Sequence, residues 1–390
     1  MQRPAAGESD GDDDMRILVF MPRNMRFGPS NASSVDLCVR DLIVASRYRE
    51  ATTIVCCENE TLFPDLDIAT YSETIDASRR RKLAFASQQV AKLSADLIVV
   101  QQHLPTAAIL ARRSTAPVIF HKHNMTKAVG HGGVLNRLRR GWRLRQYNSL
   151  AGIIFVSHAC KEAFHKDWPE VQTPCAVVHN GLDFSQWHPA PQRADEIICV
   201  GRAAPEKGIK EAALAMAAVL GAENGWRGRL ILAEPNRFPE YMGEVRAALA
   251  PVAHRVTIEF SQPFSVVQQR YQQAAIAIIP SKWEEPFGRT ALEAHAAGCA
   301  VISATSGGLP EINANNALTL PADFDATDVA DRLRILMSDA ELRRSLTQRG
   351  LAHCKTQFSL ENVSASADDF YDRIARAKSG SNISTREIAA

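Results

Sequence analysis

The chain has 390 residues, 46% of them hydrophobic and 23% charged, with a formal net charge of +2. This is the composition of an ordinary soluble globular protein, long for one hydrophobic core and comfortable for two. No apolar run approaches about 18 residues, which excludes a spanning helix, whereas the near-neutral charge excludes neither a nucleic acid nor an acidic substrate.

Met1-Gln2-Arg3 leads into small and acidic residues up to Asp14 without an apolar stretch. No secretory signal is expected, and residues 1–14 read as a disordered tail or an upstream extension. From Met15 onward short β-rich runs alternate with helical patterns, the mark of parallel α/β units. Strands are predicted at 16–21, 53–57, 97–101, 117–121, 152–156 and 175–179, with amphipathic helices at 35–46 and 81–93 among them. Several strands are continuously apolar, as in a sheet covered on both faces. The pattern breaks at His179-Asn180-Gly181-Leu182-Asp183, and residues 184–195, with Trp187, Pro189 and Pro191, read as a linker. A second series follows at 196–200, 230–233, 256–260, 275–279 and 300–303. The expected fold class is α/β, two doubly wound Rossmann-like domains (15–183 and 196–360) facing each other across a cleft. A helix at 361–378 is expected to return to the first domain, ahead of a disordered tail at 379–390. Ligands of such sheets bind at the carboxyl ends of the strands.

The eight cysteines, Cys38, Cys56, Cys57, Cys160, Cys175, Cys199, Cys299 and Cys354, are scattered and form no CxxC pair. They read as buried free thiols in a reducing cytoplasm, and neither zinc nor thioredoxin-like chemistry is expected.

The most informative segment is Glu285-Pro286-Phe287-Gly288-Arg289-Thr290-Ala291-Leu292-Glu293, with carboxylates eight residues apart around a glycine. A helix starting near Gly288 leaves backbone N–H groups free for an anion such as a diphosphate. Eight residues of helix rise roughly 12 Å, so the two acids cannot share a proton or a small metal site. They suit the hydroxyls of a long ligand whose phosphates lie between them. On its own, the segment also reads as a solvated helix start with two surface acids. Gly201-Arg202-Ala203-Ala204-Pro205-Glu206-Lys207-Gly208 follows a strand and precedes a helix at 209–220. It brings two fixed positive charges to one loop, where a departing diphosphate would need them. It is neither a GxGxxG fingerprint nor a Walker A loop. A third loop, Ser306-Gly307-Gly308-Leu309-Pro310-Glu311, also follows a strand and reads either as simple turn chemistry or as a cover over phosphates or base.

Segments 201–208, 280–281, 285–293 and 307–311, in this order and spacing, resemble the family 4 glycosyltransferases, retaining enzymes of the GT-B fold. The acid pair looks like their E-x7-E signature. The resemblance implies that Glu285 binds hydroxyls of the donor sugar, aided by the amides of Phe287 and Gly288. The helix start at Gly288, Arg289 and Thr290 would face the phosphates, Glu293 the ribose, and Gly307 and Gly308 the phosphates or base. Arg202 and Lys207 would bind the diphosphate and neutralise it as it leaves. No metal is expected: Asp323-Phe324-Asp325 and Asp65-Leu66-Asp67 lie far from the motifs and read as surface acids. In the first domain, the family's glycine-rich loop would correspond to residues 22–31. Here Gly28 is its sole glycine, and Ser30 and Asn31 would supply side-chain donors instead. The resemblance also implies a strand-end histidine beside the reacting carbon, a register that His123 fits best, with His121 as an alternative on the same face. Ala233-Glu234-Pro235 departs from the glycine-containing loop common in the family.

Two basic clusters stand out. Arg79, Arg80, Arg81 and Lys82 lead into Leu83 and Phe85, and Arg137, Arg139, Arg140, Arg143 and Arg145 interleave with Leu135, Leu138, Trp142 and Leu144. They read either as solvated helix faces or as a peripheral contact with an anionic membrane or a phosphorylated glycolipid. No nucleic-acid module is present. The expected function is a cytoplasmic retaining hexosyltransferase moving sugar from a nucleoside-diphosphate donor to a glycan or lipid-linked acceptor, in envelope polysaccharide or lipopolysaccharide synthesis. The alternatives are a GT-B-fold epimerase of UDP-N-acetylglucosamine and a non-catalytic sugar- or membrane-binding protein.

Overall fold

The computed structural model describes residues 15–22, 27–29, 33–76, 78–126, 133–221 and 225–378. The expected tails at 1–14 and 379–390 lie outside them, as do Ser30 and Asn31. The first half runs β1 (Ile17–Phe20), α1 (Ser34–Ala45), β2 (Thr52–Cys57), β3 (Asp67–Tyr71), α2 (Glu73–Asp76), α3 (Arg79–Lys92) and β4 (Leu97–Gln101). It continues with α4 (Leu104–Arg113), β5 (Val118–Lys122), α5 (Val134–Tyr147), β6 (Gly152–Phe155), α6 (His158–Asp167) and β7 (Cys175–Val177). The second half opens with β8 (Ala194–Arg202), α7 (Ile209–Leu220), β9 (Arg227–Ala233), α8 (Pro239–Leu249), β10 (Val256–Phe260), α9 (Phe264–Gln273) and β11 (Ala274–Ile279). It closes with α10 (Arg289–Ala296), β12 (Ala300–Ser303), α11 (Leu309–Asn313), β13 (Ala317–Thr319), α12 (Ala326–Ser338), α13 (Ala340–Phe358) and α14 (Leu360–Lys378).

The strands form two sheets, ordered β3-β2-β1-β4-β5-β6-β7 and β10-β9-β8-β11-β12-β13. Every named pairing is parallel. β1, β4, β5, β6, β11 and β12 are buried along their whole length, which is why they read as apolar runs, broken only by Gln101, His121-Lys122 and Ser303 at the ends of β4, β5 and β12. The order reverses between β1 and β4 in one sheet and between β8 and β11 in the other. Crevices for ligands open at the carboxyl ends of strands at such reversals. Two strands escape the sequence reading. The edge strands β3 and β13 are mostly half-exposed, so neither shows an apolar run. The stretch read as a linker is also more ordered than expected: Phe184–Gln186 forms a 3-10 turn, Trp187 is buried, and β8 already begins at Ala194.

Helix α14 packs against α1 of the first half. Its buried Val363, Ala367, Phe370, Tyr371 and Ile374 join the cluster around Ile17, Val19 and Ile54. A Cβ on Gly152 would come within 2.8 Å of the Phe370 ring, so the glycine that opens β6 makes room for this helix. Asp368 accepts from Ser46 Oγ at 2.6 Å and from the Arg47 amide at 3.0 Å, and Tyr48 donates to Asp372. The seven cysteines Cys38, Cys56, Cys57, Cys160, Cys199, Cys299 and Cys354 are buried, Cys175 is half-buried, and all eight are free.

The helix α10 is fixed from behind by His295. Its Nε2 donates to Asn313 Oδ1 at 3.0 Å, and Asn313 Nδ2 donates to Ser303 Oγ at 2.8 Å, which joins α10, α11 and β12. Gly350 of α13 packs directly on the ring, where a Cβ would fall 2.3 Å from Nδ1. Burial pushes the imidazole from its ordinary 6.5 down to about 4. Between those values the unfolded chain binds a proton that the native state refuses, so stability must fall as pH drops from 6.5 to 4. The expected slope from this group is at most about 1.4 kcal/mol per pH unit. Urea unfolding at a series of pH values should show that slope reduced in His295→Gln, and an unchanged slope would refute the assignment.

Candidate active site

Three loops at the carboxyl ends of β8, β11 and β12 interlock around Glu285. Gly208 has a φ of +65°, and a Cβ there would lie 1.9 Å from the carbonyl oxygen of Pro280. Only glycine allows both the left-handed backbone and this approach. The contact brings Lys207, at the end of the 3-10 turn Pro205–Lys207, to Glu285: its Nζ donates to Oε1 at 2.5 Å. Ser281 Oγ donates to the same oxygen at 2.7 Å. The amides of Lys282 and Trp283 donate to the Glu206 carbonyl at 2.9 and 3.1 Å, and Arg202 Nη2 donates to Glu206 Oε1 at 3.2 Å. On the third loop, Gly307 has a φ of +60°, and a Cβ there would fall 2.1 Å from the Glu285 carbonyl oxygen. The Gly308 amide donates to that same carbonyl at 2.8 Å.

Gly288 caps α10 in the left-handed region, at φ +112°, with no side-chain hydrogen bond at the cap. The first-turn amides therefore lack a side-chain acceptor, which suits an anion. Glu293, one turn in, is buried and accepts from Arg289 Nε at 2.8 Å. Arg289 also reaches into the first half: Nη1 lies 3.2 Å from Cys38 Sγ and Nη2 lies 3.5 Å from Asp41 Oδ2, both on α1. Burial raises the Glu293 and Asp41 carboxyls despite the attraction of Arg289. Burial likewise opposes the charge on Arg289, but Cys38, Glu293 and Asp41 around it outweigh that and keep it protonated. The sequence reading faced Arg289 toward phosphates and Glu293 toward ribose, whereas here they bind each other. A ribose at Glu293 would have to share the carboxylate with Arg289. Thr290 is half-buried in the same first turn.

From the first half, β4 and β5 deliver Gln101 and His123. His123 Nε2 lies 2.7 Å from Gln101 Oε1, and the ring stacks on His121 at 4.2 Å between centroids. A carbonyl acceptor places the proton on Nε2 and leaves Nδ1 as an acceptor. Burial, reinforced by Lys122, lowers His123 to about 3, and burial with His123 takes His121 well below its ordinary value, so both rings are neutral. Gln101 escaped the sequence reading, although a glutamine closing the apolar run Leu97-Ile98-Val99-Val100 at a strand's carboxyl end was the available signal. Gly28 is buried, and a Cβ on it would lie 2.0 Å from the Thr61 carbonyl oxygen, so its glycine is explained by a close backbone contact.

Glu311, last residue of the third motif, crosses between the halves. Its Oε1 accepts from the Ala159 amide and its Oε2 from the His158 amide, both at 2.9 Å, at the start of α6. His179 Nε2 lies 3.0 Å from Oε2. Burial opposes its charge, but His179 and the two amides prevail and hold the carboxyl below its usual range. Beside it Ser157 Oγ donates to the Pro286 carbonyl at 2.5 Å. The potential ligand atoms of His158, His179 and Glu311 lie within 4.8 Å of one another, the one such trio among the described residues. Both Glu311 oxygens already serve the α6 amides, so the trio reads first as a clasp between the two halves. The acids set aside in the sequence are engaged locally: Asp325 caps α12, Asp65 accepts from Arg40 and Asp67 from Thr53.

Replacing Arg289 by methionine strands the buried Glu293 without its cation and leaves the half-buried Asp41 with Arg40 alone. The expected loss is about 3–5 kcal/mol, read from the urea midpoint. A second substitution, Glu293→Gln, should recover part of it.

Two family models match the chain: Glycosyltransferase Family 4 over residues 45–186 and Glycosyl transferases group 1 over residues 183–353. An alpha-maltose-1-phosphate synthase from Mycobacterium tuberculosis is 23% identical over 350 residues, covering 75% of this chain and 86% of that protein. A D-inositol 3-phosphate glycosyltransferase from Corynebacterium glutamicum is 29% identical over 216 residues, covering 50% and 51%. Among solved structures, Anabaena Alr3699/HepE in complex with UDP and glucose superposes with a TM-score of 0.71 at 17% identity, over 92% of this chain and 100% of that one. With the two models together spanning residues 45–353 and the fold shared throughout, the chain belongs to the family 4 glycosyltransferases built on the GT-B fold.

Proposed function

We propose that the chain is a retaining, metal-independent hexosyltransferase that uses a nucleoside-diphosphate sugar, with residues 196–360 binding the donor and residues 15–183 the acceptor. The Lys207–Glu285 pair at the carboxyl ends of β8 and β11 carries this reading. The described complex of the HepE neighbour with UDP and glucose supports a nucleotide-sugar donor. Within the protein Lys207 neutralises Glu285. When a donor enters, its diphosphate takes Lys207 and Arg202, and its sugar hydroxyls take Glu285 and the amides of Phe287 and Gly288. The negative charge developing on the leaving diphosphate is met by fixed cations, the role a metal plays elsewhere. The acceptor hydroxyl attacks the anomeric carbon on the face the diphosphate leaves. The carbon–oxygen bond to phosphate breaks, the new glycosidic bond forms, and the departing phosphate oxygen takes the acceptor's proton. Neutral His123, its Nε2 proton given to Gln101, offers Nδ1 as an acceptor to a sugar hydroxyl.

The acceptor we assign is a lipid-linked or lipopolysaccharide-type glycan of a bacterial envelope, used at the cytoplasmic face of the membrane. The basic helix α5 of the first domain supports a peripheral contact there. Among the described residues no helix is long and apolar enough to cross a membrane.

Thermal-shift measurements with UDP-, GDP- and ADP-sugars should single out one donor, because a ligand of the native state raises its melting temperature. With that donor, Glu285→Ala and Lys207→Ala should each lower turnover about 100-fold or more while far-UV circular dichroism is unchanged. NMR of the product should show the donor's anomeric configuration, and chelators should leave the rate unaltered. Wild-type turnover in either variant, or an inverted product, would overturn the proposal.

A further inference from the structure

Two basic segments that look alike in sequence are turned in opposite directions in the fold. In α3, Lys82 is buried with its ammonium 5.0 Å from the centroid of the Tyr71 ring, Leu83 is buried, and Phe85 packs on Tyr71 at 5.5 Å. The apolar residues of that cluster thus belong to the core, as in any surface helix. Of that cluster, Arg80 and Arg81 are exposed, as on a solvated helix face.

Helix α5 does the reverse. Val134, Leu135, Leu138 and Trp142 are 71, 70, 65 and 51% exposed, the four most exposed large hydrophobic side chains among the described residues. At helical spacing these four share an arc of about 100°. The opposite side holds the helix in place: buried Tyr147 faces inward, and Arg140 lies 4.4 Å from the Trp168 ring centroid. Arg140 also donates to the Asp167 carbonyl at 2.7 Å and to Glu170 at 2.6 Å. Arg137, Arg139, Arg143 and Arg145 are exposed around the apolar stripe, and α5 contains no acidic residue.

We propose that this outward face of α5 docks on an anionic lipid surface. The four apolar side chains enter the boundary between headgroups and acyl chains, and the flanking arginines meet lipid phosphates. A second copy of the chain fits less well. A two-fold contact of α5 with itself sets arginine against arginine, with no carboxylate from the helix to offset them. Helix α5 is also the next helix after the β5 end that carries His123, so docking brings the first domain's share of the cleft to the membrane. Such a contact deepens the lipid-linked acceptor reading, and rests on it for its purpose.

Flotation of the full chain with vesicles decides the matter. Binding is expected to vesicles of phosphatidylglycerol with phosphatidylcholine, not to phosphatidylcholine alone, and should weaken as salt is raised. Tryptophan emission should shift to the blue on binding, and Trp142→Phe should remove the shift. The exposed-site double variant Leu135→Asp/Leu138→Asp should lose about tenfold or more in binding, while Arg80→Gln/Arg81→Gln in α3 stays within about twofold. Absence of wild-type binding, or equal binding by the α5 variant, would overturn the proposal. So would a dimer in light scattering that the α5 variant dissolves without any vesicle binding. A thermal-shift response to the nucleotide-sugar donor on the same preparations tells the two readings apart, since it tests the donor site without lipid.

Discussion

The approach of Gly208 to the carbonyl of Pro280 is the constraint on which the candidate site depends. It presses the loop after β8 against the loop after β11 with no room for a side chain, and this sets Lys207 beside Glu285. Around the same centre Gly307 packs on the Glu285 backbone, so each of three loops owes its place to another. Strands buried along their length anchor the loops from behind. A site built this way keeps its geometry without help from long side chains, whose rotamer entropy would otherwise oppose ordering. The polar groups that face a ligand can then be few.

Between the halves, contacts of a different kind prevail. Arg289 reaches Asp41 and Cys38, Glu311 reaches the start of α6, and Ser157 reaches the Pro286 carbonyl. Most of these are directional and polar, joined by an aromatic cluster of His179, Phe287 and Phe358. Polar contacts of this type can be exchanged for water or for ligand groups at small net cost, unlike a dry apolar interface. The residues that make them stand within the motifs themselves: Arg289 and Pro286 lie inside the acid-pair segment and Glu311 ends the glycine-rich one. On the proposed function, donor binding and the fit of the two halves are therefore coupled through shared residues.

Much of this was legible from residues alone, for identifiable reasons. Strands such as β1, β6 and β11 announce themselves because burial on both faces demands unbroken apolar runs, and β10 does so through the alternation Val256-Thr257-Ile258-Glu259-Phe260. The edge strands β3 and β13 do not, since one side of each is wet. The motif loops could be ordered along the chain, but pairings across 78 residues, such as Lys207 with Glu285, depend on strand order, which no local pattern encodes. Gln101 was passed over because a polar residue ending a strand looks like an ordinary exit from the sheet. The two basic clusters looked equivalent because charge and apolar content alone do not say which face of a helix turns inward.

The charges of the site also bear on what it selects. Glu285 is matched by Lys207, and Glu293 by Arg289, so neither carboxylate is left buried without a cation. Unpaired, each would carry a desolvation penalty of several kcal/mol. On the proposed function, a ligand that offered only phosphates would draw Lys207 away and strand Glu285. A ligand that offered only hydroxyls would engage Glu285 and leave the cations without an anion. A nucleoside-diphosphate sugar satisfies both at once. Once the sugar has moved to the acceptor, Glu285 loses its hydroxyls and Lys207 regains a reason to return to it, which loosens the diphosphate. The same ion pair then favours entry of the intact donor and departure of the spent one.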